Sequence, residues 1–254
     1  MFMVYTLRLR KILVLVLILM SVILYSLLTV YLQYSTLGLH YIEDGKQMER
    51  HLAVMNATAG NPWQYRILAE YVAEGIIQIL RALNFPHYVA VAFISFRVIQ
   101  NIFIFLTAYI YYRKYGLSIG KSIIGISLLA WGMTWAFYDS DLQFNTYFDI
   151  FFYLLGGLSI ITNRYIWIIP ITFFAALNRE TSGLIPLMLL SSSLFHKDKK
   201  YQHSKITVSL LAITFFVICF VMLRIVYGKQ VLVLPYGHYP GLDLLSYNLS
   251  NKAT

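Results

Sequence analysis

The sequence ILVLVLILMSVILYSLLTVYL, residues Ile12–Leu32, carries no charged side chain over its whole length. The hydrocarbon core of a bilayer is about 30 Å thick, and about 20 apolar residues cross it as a helix. Three basic residues precede this stretch, namely Arg8, Arg10 and Lys11. The apolar run is too long for a signal peptide, and no small-residue cleavage site follows it. The stretch therefore predicts a retained transmembrane helix.

The composition of the whole chain extends this prediction. Of its 254 residues, 59% are hydrophobic and only 12% are charged, whereas an average soluble domain has about 25% charged residues. We therefore predict an all-α, polytopic integral membrane protein in which residues 1–254 form a single transmembrane domain. The one cysteine, Cys219, lies in an apolar run, which excludes an intrachain disulfide and a cysteine-based metal site.

Further apolar runs predict spans at about residues 88–112, 117–137, 144–162 and 205–226. The apolar stretch 165–195 differs, because the polar sequence NRETS, residues 178–182, interrupts it and basic residues flank both of its ends. An even number of crossings joins like sides of a membrane. This stretch therefore predicts a hairpin of two short helices, and the predicted total is seven membrane segments.

The basic residues predict how these segments are oriented. With the N-terminus in the cytoplasm, the cytoplasmic segments contain eleven basic residues and one acid, Asp198. Such an excess is the positive-inside signal of membrane proteins. The predicted orientation is N-in and C-out. The formal net charge of +9 is therefore explained by topology, and we predict no nucleic-acid partner.

In this predicted orientation, the outer side of the membrane contains most of the acidic residues. Its largest element is the loop of residues 33–87, in which residues 66–84 have helical apolar spacing. Glu70 and Glu74 lie one helical turn apart on the opposite face, which suits an amphipathic helix in the membrane interface. Two further outer elements are the turn of residues 138–142 and the tail from residue 228 onward.

The interrupted hairpin raises a specific question about Arg179 and Glu180. Each arm has only about 12 residues and reaches about 18 Å as a helix, less than a full crossing. The two charges are therefore expected below the outer surface, where an unpaired charge costs about 3 kcal/mol or more. Two alternatives stay open. The charges form a structural pair with each other, or they line a wet cavity that binds substrate.

Other polar residues extend this pattern into the predicted spans. Polar side chains lie one turn apart at Arg97 and Asn101, and again at Asn145 and Asp149. They predict a polar groove that enters the membrane from the outer side. Such a groove suits a substrate with a polar head and a lipid tail, in which arginines bind a phosphate and a carboxylate acts as general base. The candidate arginines are Arg66, Arg179 and Arg224.

The turn Asp139-Ser140-Asp141 provides two carboxylates that suit Mg²⁺ or Mn²⁺, because these ions prefer hard oxygen ligands. An alternative is that the two acids simply end two helices. The acidic pair Glu43-Asp44, shortly after the first span, likewise reads either as a solvated loop or as part of a site.

Three stretches of the chain resemble those of bacterial membrane proteins of the GT-C glycosyltransferase type. They are GNPWQYRIL (60–68), FYDSDLQFNTYFD (137–149) and AALNRETSGLIP (175–186). The resemblance also includes an acidic residue and an interfacial helix in the first outer loop. It implies transfer of a sugar from a polyprenyl-phosphate-linked donor on the extracytoplasmic face of a bacterial plasma membrane. The bilayer and this donor are the implied partners.

The resemblance also implies roles for single residues. Asp44 is the implied catalytic base, with Glu43 as a rival, and Asp139 and Asp141 bind metal or acceptor. Arg179 contacts the donor phosphate. The remaining substrate-binding candidates are neighbours in the same motifs, namely Gln64, Tyr65, Arg66, Asn178 and Glu180.

The chain departs from that family in one respect, because such enzymes have more than seven membrane segments. Two explanations of this lower number stay open, namely that the protein is a shortened member of the family or that the sequence is a fragment. Whether this chain is active by itself also stays open. Two other functions also stay open. A transporter or lipid flippase would use broken helices at the membrane midplane, and a non-catalytic membrane subunit would need no site.

Overall fold

The structure of the protein is a computed structural model that describes residues 2–43, 45–135, 143–194, 199–234, 237–239 and 241–250. Within these residues the fold is all-helical, as predicted. The helices are, in chain order, α1 Phe2–Leu37, α2 Leu39–Glu43, α3 Lys46–Met55, α4 Ile67–Ala82, α5 Tyr88–Lys114, α6 Ile119–Thr134, α7 Phe144–Ile161, α8 Ile168–Asn178, α9 Leu184–Leu194, α10 Lys199–Tyr227 and α11 Leu242–Ser250.

Four segments are long and apolar enough to cross a membrane, namely Ile12–Leu37 of α1, all of α5 and α7, and Gln202–Tyr227 of α10. Leucine and isoleucine side chains on α1 and α10 point away from the bundle, as Leu17 and Ile225 show with 61% and 75% of their surface exposed. A helix that is apolar on its outward side is compatible with lipid contact. The seven-segment topology and the N-in, C-out orientation stay predictions.

The shorter helices also follow the sequence pattern. The predicted helix 66–84 is observed as α4, and the predicted hairpin is observed as α8 and α9, which have 11 residues each. The region predicted as a span at 117–137 contains the 16-residue helix α6, which is apolar but shorter than the four candidate spans. The side-chain hydroxyl of Ser118 caps α6 by accepting a hydrogen bond from the backbone N–H of Lys121 at 3.4 Å.

Helix α7 occupies the centre of the bundle, because its side chains take part in all three apolar clusters of the core. It packs against α5 on one side and against α8 on the other. At Gly156 the approach to α9 is so close that a Cβ atom would lie 2.9 Å from Ile185 Cγ2. Glycine at this position therefore allows the hairpin to pack directly on α7.

The first outer loop is fastened to the segment that follows α10. The backbone N–H of Asn61 donates to the carbonyl of Val231 at 2.8 Å, and the N–H of Val233 donates to the carbonyl of Asn61 at 2.9 Å. Gly60 beside them has no space for a side chain, because a Cβ atom would lie 2.5 Å from Val233 Cγ2. These contacts bring the start of α4 beside the outer end of α10.

Candidate functional site

The hairpin tip, defined as residues Arg179–Ser182, begins where α8 ends. Arg179 has an extended backbone with φ of −163° and ψ of 144°, and a short 3₁₀ turn, Glu180–Gly183, leads into α9. Each arm of the hairpin is about 16 Å long at 1.5 Å per residue, about half of the bilayer core. That the tip charges lie below the outer membrane surface stays a prediction.

Glu180 is bound by Arg66, the residue directly before α4. Arg66 Nε donates to Glu180 Oε2 at 3.1 Å, and Arg66 Nη2 donates to the other carboxylate oxygen. The Arg66 guanidinium also lies 4.5 Å from the centroid of the Trp63 ring, and the residue is only 7% exposed. A two-pronged contact of this kind is the strongest form of an arginine–carboxylate pair. Glu180 is therefore tied to the first outer loop.

Arg179 makes a different and looser contact. Its Nη1 atom lies 3.6 Å from Asp149 Oδ2, which exceeds hydrogen-bond distance. Asp149 Oδ2 accepts a hydrogen bond from the hydroxyl of Thr181 at 3.0 Å. Among the described residues, Asp149 Oδ1 and Arg179 Nε have no hydrogen-bond partner. Arg179 and Asp149 therefore keep free hydrogen-bonding capacity beside each other.

A cavity of about 480 Å³ reaches this loose pair from the side of the bundle. We call it the α7 groove, and it is lined by Tyr111, Thr146, Asp149, Ile150, Tyr153, Leu154, Gly157, Arg179 and Met188. The polar groups Thr146, Asp149 and Arg179 stand at its outer end. Beyond them, the lining from Ile150 to Gly157 of α7, together with Met188 of α9, is largely apolar and extends for about 10 Å at 1.5 Å per residue. The α7 groove thus has a charged head region and an apolar track.

A second cavity of about 480 Å³, the α10 groove, lies on the other side of α9. Its polar end consists of Glu180 and Thr181 of the hairpin tip. Its walls are apolar and come from α9 and α10, namely Leu184, Leu187, Ile213, Phe216 and Val217 together with Gly183. Glu180 at this end is already held by Arg66, so the α10 groove offers a satisfied carboxylate rather than an available cation.

Three predicted substrate-binding residues have contacts inside the fold. Gln64 is fully buried, accepts from the backbone of Ala59 at 3.0 Å and donates to the carbonyl of Val54 at 3.0 Å. The Tyr65 hydroxyl donates to the carbonyl of Gly228 at 2.9 Å. These bonds hold the first loop together and fasten it to the end of α10.

The third, Asn178, is also fully buried and joins α8 to α7. Its side-chain amide donates to the carbonyl of Asn145 at 2.8 Å. The candidate Arg224 donates to the carbonyl of Phe220 at 3.1 Å on its own helix and lies 4.4 Å from the Tyr65 ring. Both residues position the walls around the hairpin tip.

Of the acids predicted for catalysis and metal binding, only Glu43 is among the described residues. Asp44, Asp139 and Asp141 lie outside the described residues. The rival base Glu43 contacts His87 Nδ1 at 3.1 Å. Within the ranges that the structure describes, no group of three His, Cys, Asp or Glu side chains is arranged to hold a metal ion. The Mg²⁺ or Mn²⁺ site predicted at Asp139 and Asp141 stays a prediction.

The polar residues predicted within span 88–112 are buried between helices. Arg97, Gln100 and Asn101 are at most 1% exposed. The Arg97 guanidinium lies 3.6 Å from the centroid of the Tyr147 ring, and Gln100 donates to the carbonyl of Phe144 at 2.9 Å. Arg97 and Gln100 therefore join α5 to α7 rather than line the α7 groove, and both side-chain amide atoms of the buried Asn101 have no hydrogen-bond partner among the described residues. Of the predicted intramembrane polar residues, Asp149 is the one that reaches the groove.

A charge cluster around His51 is absent from the sequence predictions. His51 of α3 is 1% exposed, with its Nδ1 2.7 Å from Glu70 Oε2 and its Nε2 2.9 Å from Glu74 Oε2. Burial lowers the pKa of His51, but the hydrogen bonds and charges of the two carboxylates outweigh this and raise it above 6.5. The glutamate stripe of α4 therefore faces the protein interior. The spacing of Glu70 and Glu74, four residues apart on one helix face, is visible in the sequence. Nothing in the sequence indicates that His51 is their common partner.

The comparisons with known proteins give no further guidance, since no family model, no curated protein and no solved structure matches this chain.

Proposed function

We propose that this protein is a membrane glycosyltransferase of the GT-C type that moves a sugar from a polyprenyl-phosphate-linked donor to an acceptor. The reaction takes place on the extracytoplasmic face of a bacterial plasma membrane. The observation that carries the proposal is the α7 groove, in which an apolar track ends at the loosely paired side chains of Arg179 and Asp149.

The chemistry of the groove fits a lipid phosphate. The apolar track accommodates part of a polyprenyl chain, because the walls come from Ile150, Leu154 and Met188. At its outer end Arg179 offers a planar guanidinium whose Nε has no partner among the described residues. A phosphate oxygen makes a stronger, charge-assisted contact with arginine than the 3.6 Å separation from Asp149 provides. The donor phosphate therefore takes over Arg179.

Once the donor phosphate binds Arg179, the contact between Arg179 and Asp149 is lost. The Asp149 carboxylate is then available for proton transfer. The Asp149 carboxylate accepts the proton of the acceptor hydroxyl, and the acceptor oxygen bonds to the anomeric carbon of the sugar. The bond between that carbon and the phosphate oxygen breaks, and its electron pair leaves with the polyprenyl phosphate. Arg179 stabilises the charge of this leaving group. Asp44 and Glu43, implied as base by the family resemblance, remain the competing carboxylates for this role.

The test uses purified protein in detergent and a polyprenyl phosphate as the probe. Arg179→Gln is expected to weaken binding at least about tenfold, the loss of about 1.4 kcal/mol. The matched control is Arg81→Gln, because Arg81 is an exposed arginine of α4. Asp149→Asn is expected to retain binding and to lose sugar transfer from the corresponding lipid-linked donor.

The outcomes separate the alternatives. Absence of polyprenyl phosphate binding in the wild-type protein sinks the proposal. Binding without transfer, together with lipid movement across liposome membranes, replaces it with a lipid flippase. Binding with neither activity replaces it with a non-catalytic membrane subunit.

A further inference from the structure

A further cavity lies at the opposite end of α7 from the hairpin tip. This cavity of about 570 Å³, which we call the basal cavity, is formed where α5 and α7 end and α8 begins. It is lined by Ile110, Lys114, Leu158, Ser159, Ile161, Thr162, Arg164 and Trp167. The glycosyltransferase proposal makes no use of it.

The charged residues that line the basal cavity are all basic. Two of its lining residues, Lys114 and Arg164, are basic, and none of the described residues that line it is acidic. Neither cationic side chain forms a hydrogen bond or ion pair with another described residue. Cations near the C-terminal ends of α5 and α7 complement the helix dipoles without any ligand. That role does not account for an open cavity between the two charges.

The remaining lining residues include both hydroxyl-bearing and apolar side chains. Ser159 and Thr162 add hydroxyl groups near the cations, whereas Ile110 and Leu158 form an apolar wall. Trp167, whose surface is 57% exposed, stands at the rim. Tryptophan is enriched at the level of lipid headgroups. A cavity lined by cations, hydroxyls and apolar side chains suits a phospholipid at the boundary between headgroup and acyl chain.

We propose that the basal cavity binds an anionic phospholipid, with its phosphate between Lys114 and Arg164 and the start of an acyl chain against Ile110 and Leu158. Basic pockets between membrane helices are a recognised way of holding such headgroups. The predicted orientation puts this end of the bundle on the cytoplasmic side. The site is independent of any glycosyltransferase activity.

Trp167 provides a local probe of this site. The chain has four tryptophans, so the substitutions W63F, W131F and W135F leave Trp167 as the single fluorophore. The full-length protein is placed in mixed micelles that contain phosphatidylglycerol or phosphatidylcholine brominated on the acyl chains near the headgroup. Bromine quenches tryptophan only at short range. Stronger quenching by the anionic lipid at equal mole fraction is the expected result.

The charge requirement is tested with two matched double variants. K114Q/R164Q is expected to lower the preference for phosphatidylglycerol at least about tenfold, because the lipid phosphate loses both of its charge-assisted contacts; tenfold corresponds to about 1.4 kcal/mol. K121Q/K199Q removes two exposed cations from the same predicted face and is expected to retain the preference. Inorganic phosphate in the buffer is expected to leave the quenching unchanged.

Three results overturn the proposal. Equal quenching by the two lipids shows that there is no anionic-lipid site, and this comparison needs no charge variant. An equal loss in both double variants assigns the effect to the general surface charge. Loss of the preference on addition of inorganic phosphate shows a site for free phosphate instead.

Discussion

Glu180 forms its ion pair with Arg66, which lies 114 residues earlier in the chain, and not with its neighbour Arg179. Arg179 and Glu180 therefore do not form the structural pair with each other that was one of the two alternatives for the hairpin sequence. Arg66 neutralises Glu180 through two donors, and Arg179 keeps a 3.6 Å contact with Asp149. The hairpin tip therefore contains one satisfied charge pair and one cation with remaining hydrogen-bonding capacity.

The Arg66–Glu180 pair is expected to stabilise the fold. Glu180→Gln and Arg66→Gln should each lower the free energy of unfolding by about 1–3 kcal/mol, because hydrogen bonds to charged groups contribute that much. The double variant should lose clearly less than the sum of the two losses. Unfolding in mixed detergent micelles measures this coupling. Glu49→Gln, at an exposed position of α3, is the control and should stay within about 0.5 kcal/mol of wild type. Additive losses would show that the two side chains act independently.

The α7 groove is expected to determine which lipid the protein uses. Met188 lines the α7 groove, and its chain neighbour Leu187 lines the α10 groove. Met188→Trp should block binding of a long polyprenyl phosphate more strongly than that of a short-chain analogue, because indole fills the apolar track. Leu187→Trp should have little effect on either lipid. Binding of the two chain lengths is measured in detergent. The reverse pattern would move the lipid to the α10 groove.

The His51 cluster predicts a pH dependence of stability. The pKa of His51 is raised above 6.5 in the folded protein, so its contribution is fully present below pH 6.5 and is lost as the pH rises through the raised pKa. For Glu74, burial raises the pKa, but the hydrogen bonds from His51 and Gln78 and the charges of His51 and Arg81 together outweigh it, and the pKa stands below 4.5. The contribution of Glu74 is therefore present above pH 4.5 and is lost as the pH falls through the lowered pKa.

Thermal unfolding of wild type and His51→Gln between about pH 5 and pH 9, on either side of the usual histidine pKa, measures this effect. The stability difference between the two proteins should be largest at the acidic end and shrink as the pH rises. His203→Gln, at an exposed position of α10, should leave the pH profile of wild type unchanged. A difference that grows with pH would show that His51 is neutral in the fold.

The base implied by the family resemblance gives a separate prediction. If Asp44 is the base, as the resemblance implies, Asp44→Asn abolishes sugar transfer and Asp149→Asn retains it, whereas Asp149 as base gives the opposite pattern. Both variants should still insert into membranes. Glu43→Gln should retain transfer, because Glu43 contacts His87. Transfer from the lipid-linked donor and membrane fractionation measure the two properties. Full transfer in Asp44→Asn would remove Asp44 as base and leave the role to Asp149.

The predicted Mg²⁺ or Mn²⁺ at Asp139 and Asp141 is tested by chelation. EDTA should abolish transfer, and either ion should restore it, because paired carboxylates bind such hard cations. Asp141→Asn should raise the concentration of Mg²⁺ needed for half-maximal transfer. Transfer that is insensitive to EDTA would remove the metal role but not the glycosyltransferase proposal.

Local features of this fold were predictable because they depend on local patterns. The apolar periodicity of residues 66–84 predicted α4 to within two residues at its C-terminal end and one at its start. The polar interruption at 178–182 predicted the break between α8 and α9. In both cases the backbone bonds of a helix join residues four apart, so a short window of sequence contains the information.

The charge partners were not predictable in the same way. Arg179 has Glu180 beside it in sequence, yet the extended backbone at Arg179 directs the two side chains to different helices. Glu180 meets Arg66 from the first loop, and Arg179 meets Asp149 from α7. Which of several carboxylates a cation meets depends on how α4, α7 and the hairpin pack, and that packing depends on apolar contacts distributed over the whole core.

The backbone bridge between Asn61 and the segment at Val231 and Val233 closes the chain from α4 to α10 into a non-covalent ring. Both lateral grooves, the hairpin tip and the basal cavity lie on helices within this ring, whereas α1, α2 and α3 precede its closure. The bridge therefore joins the two ends of the part of the chain that contains every proposed lipid site. A bulky residue in place of Gly60 would therefore open the ring at this backbone bridge, because a Cβ atom there meets Val233.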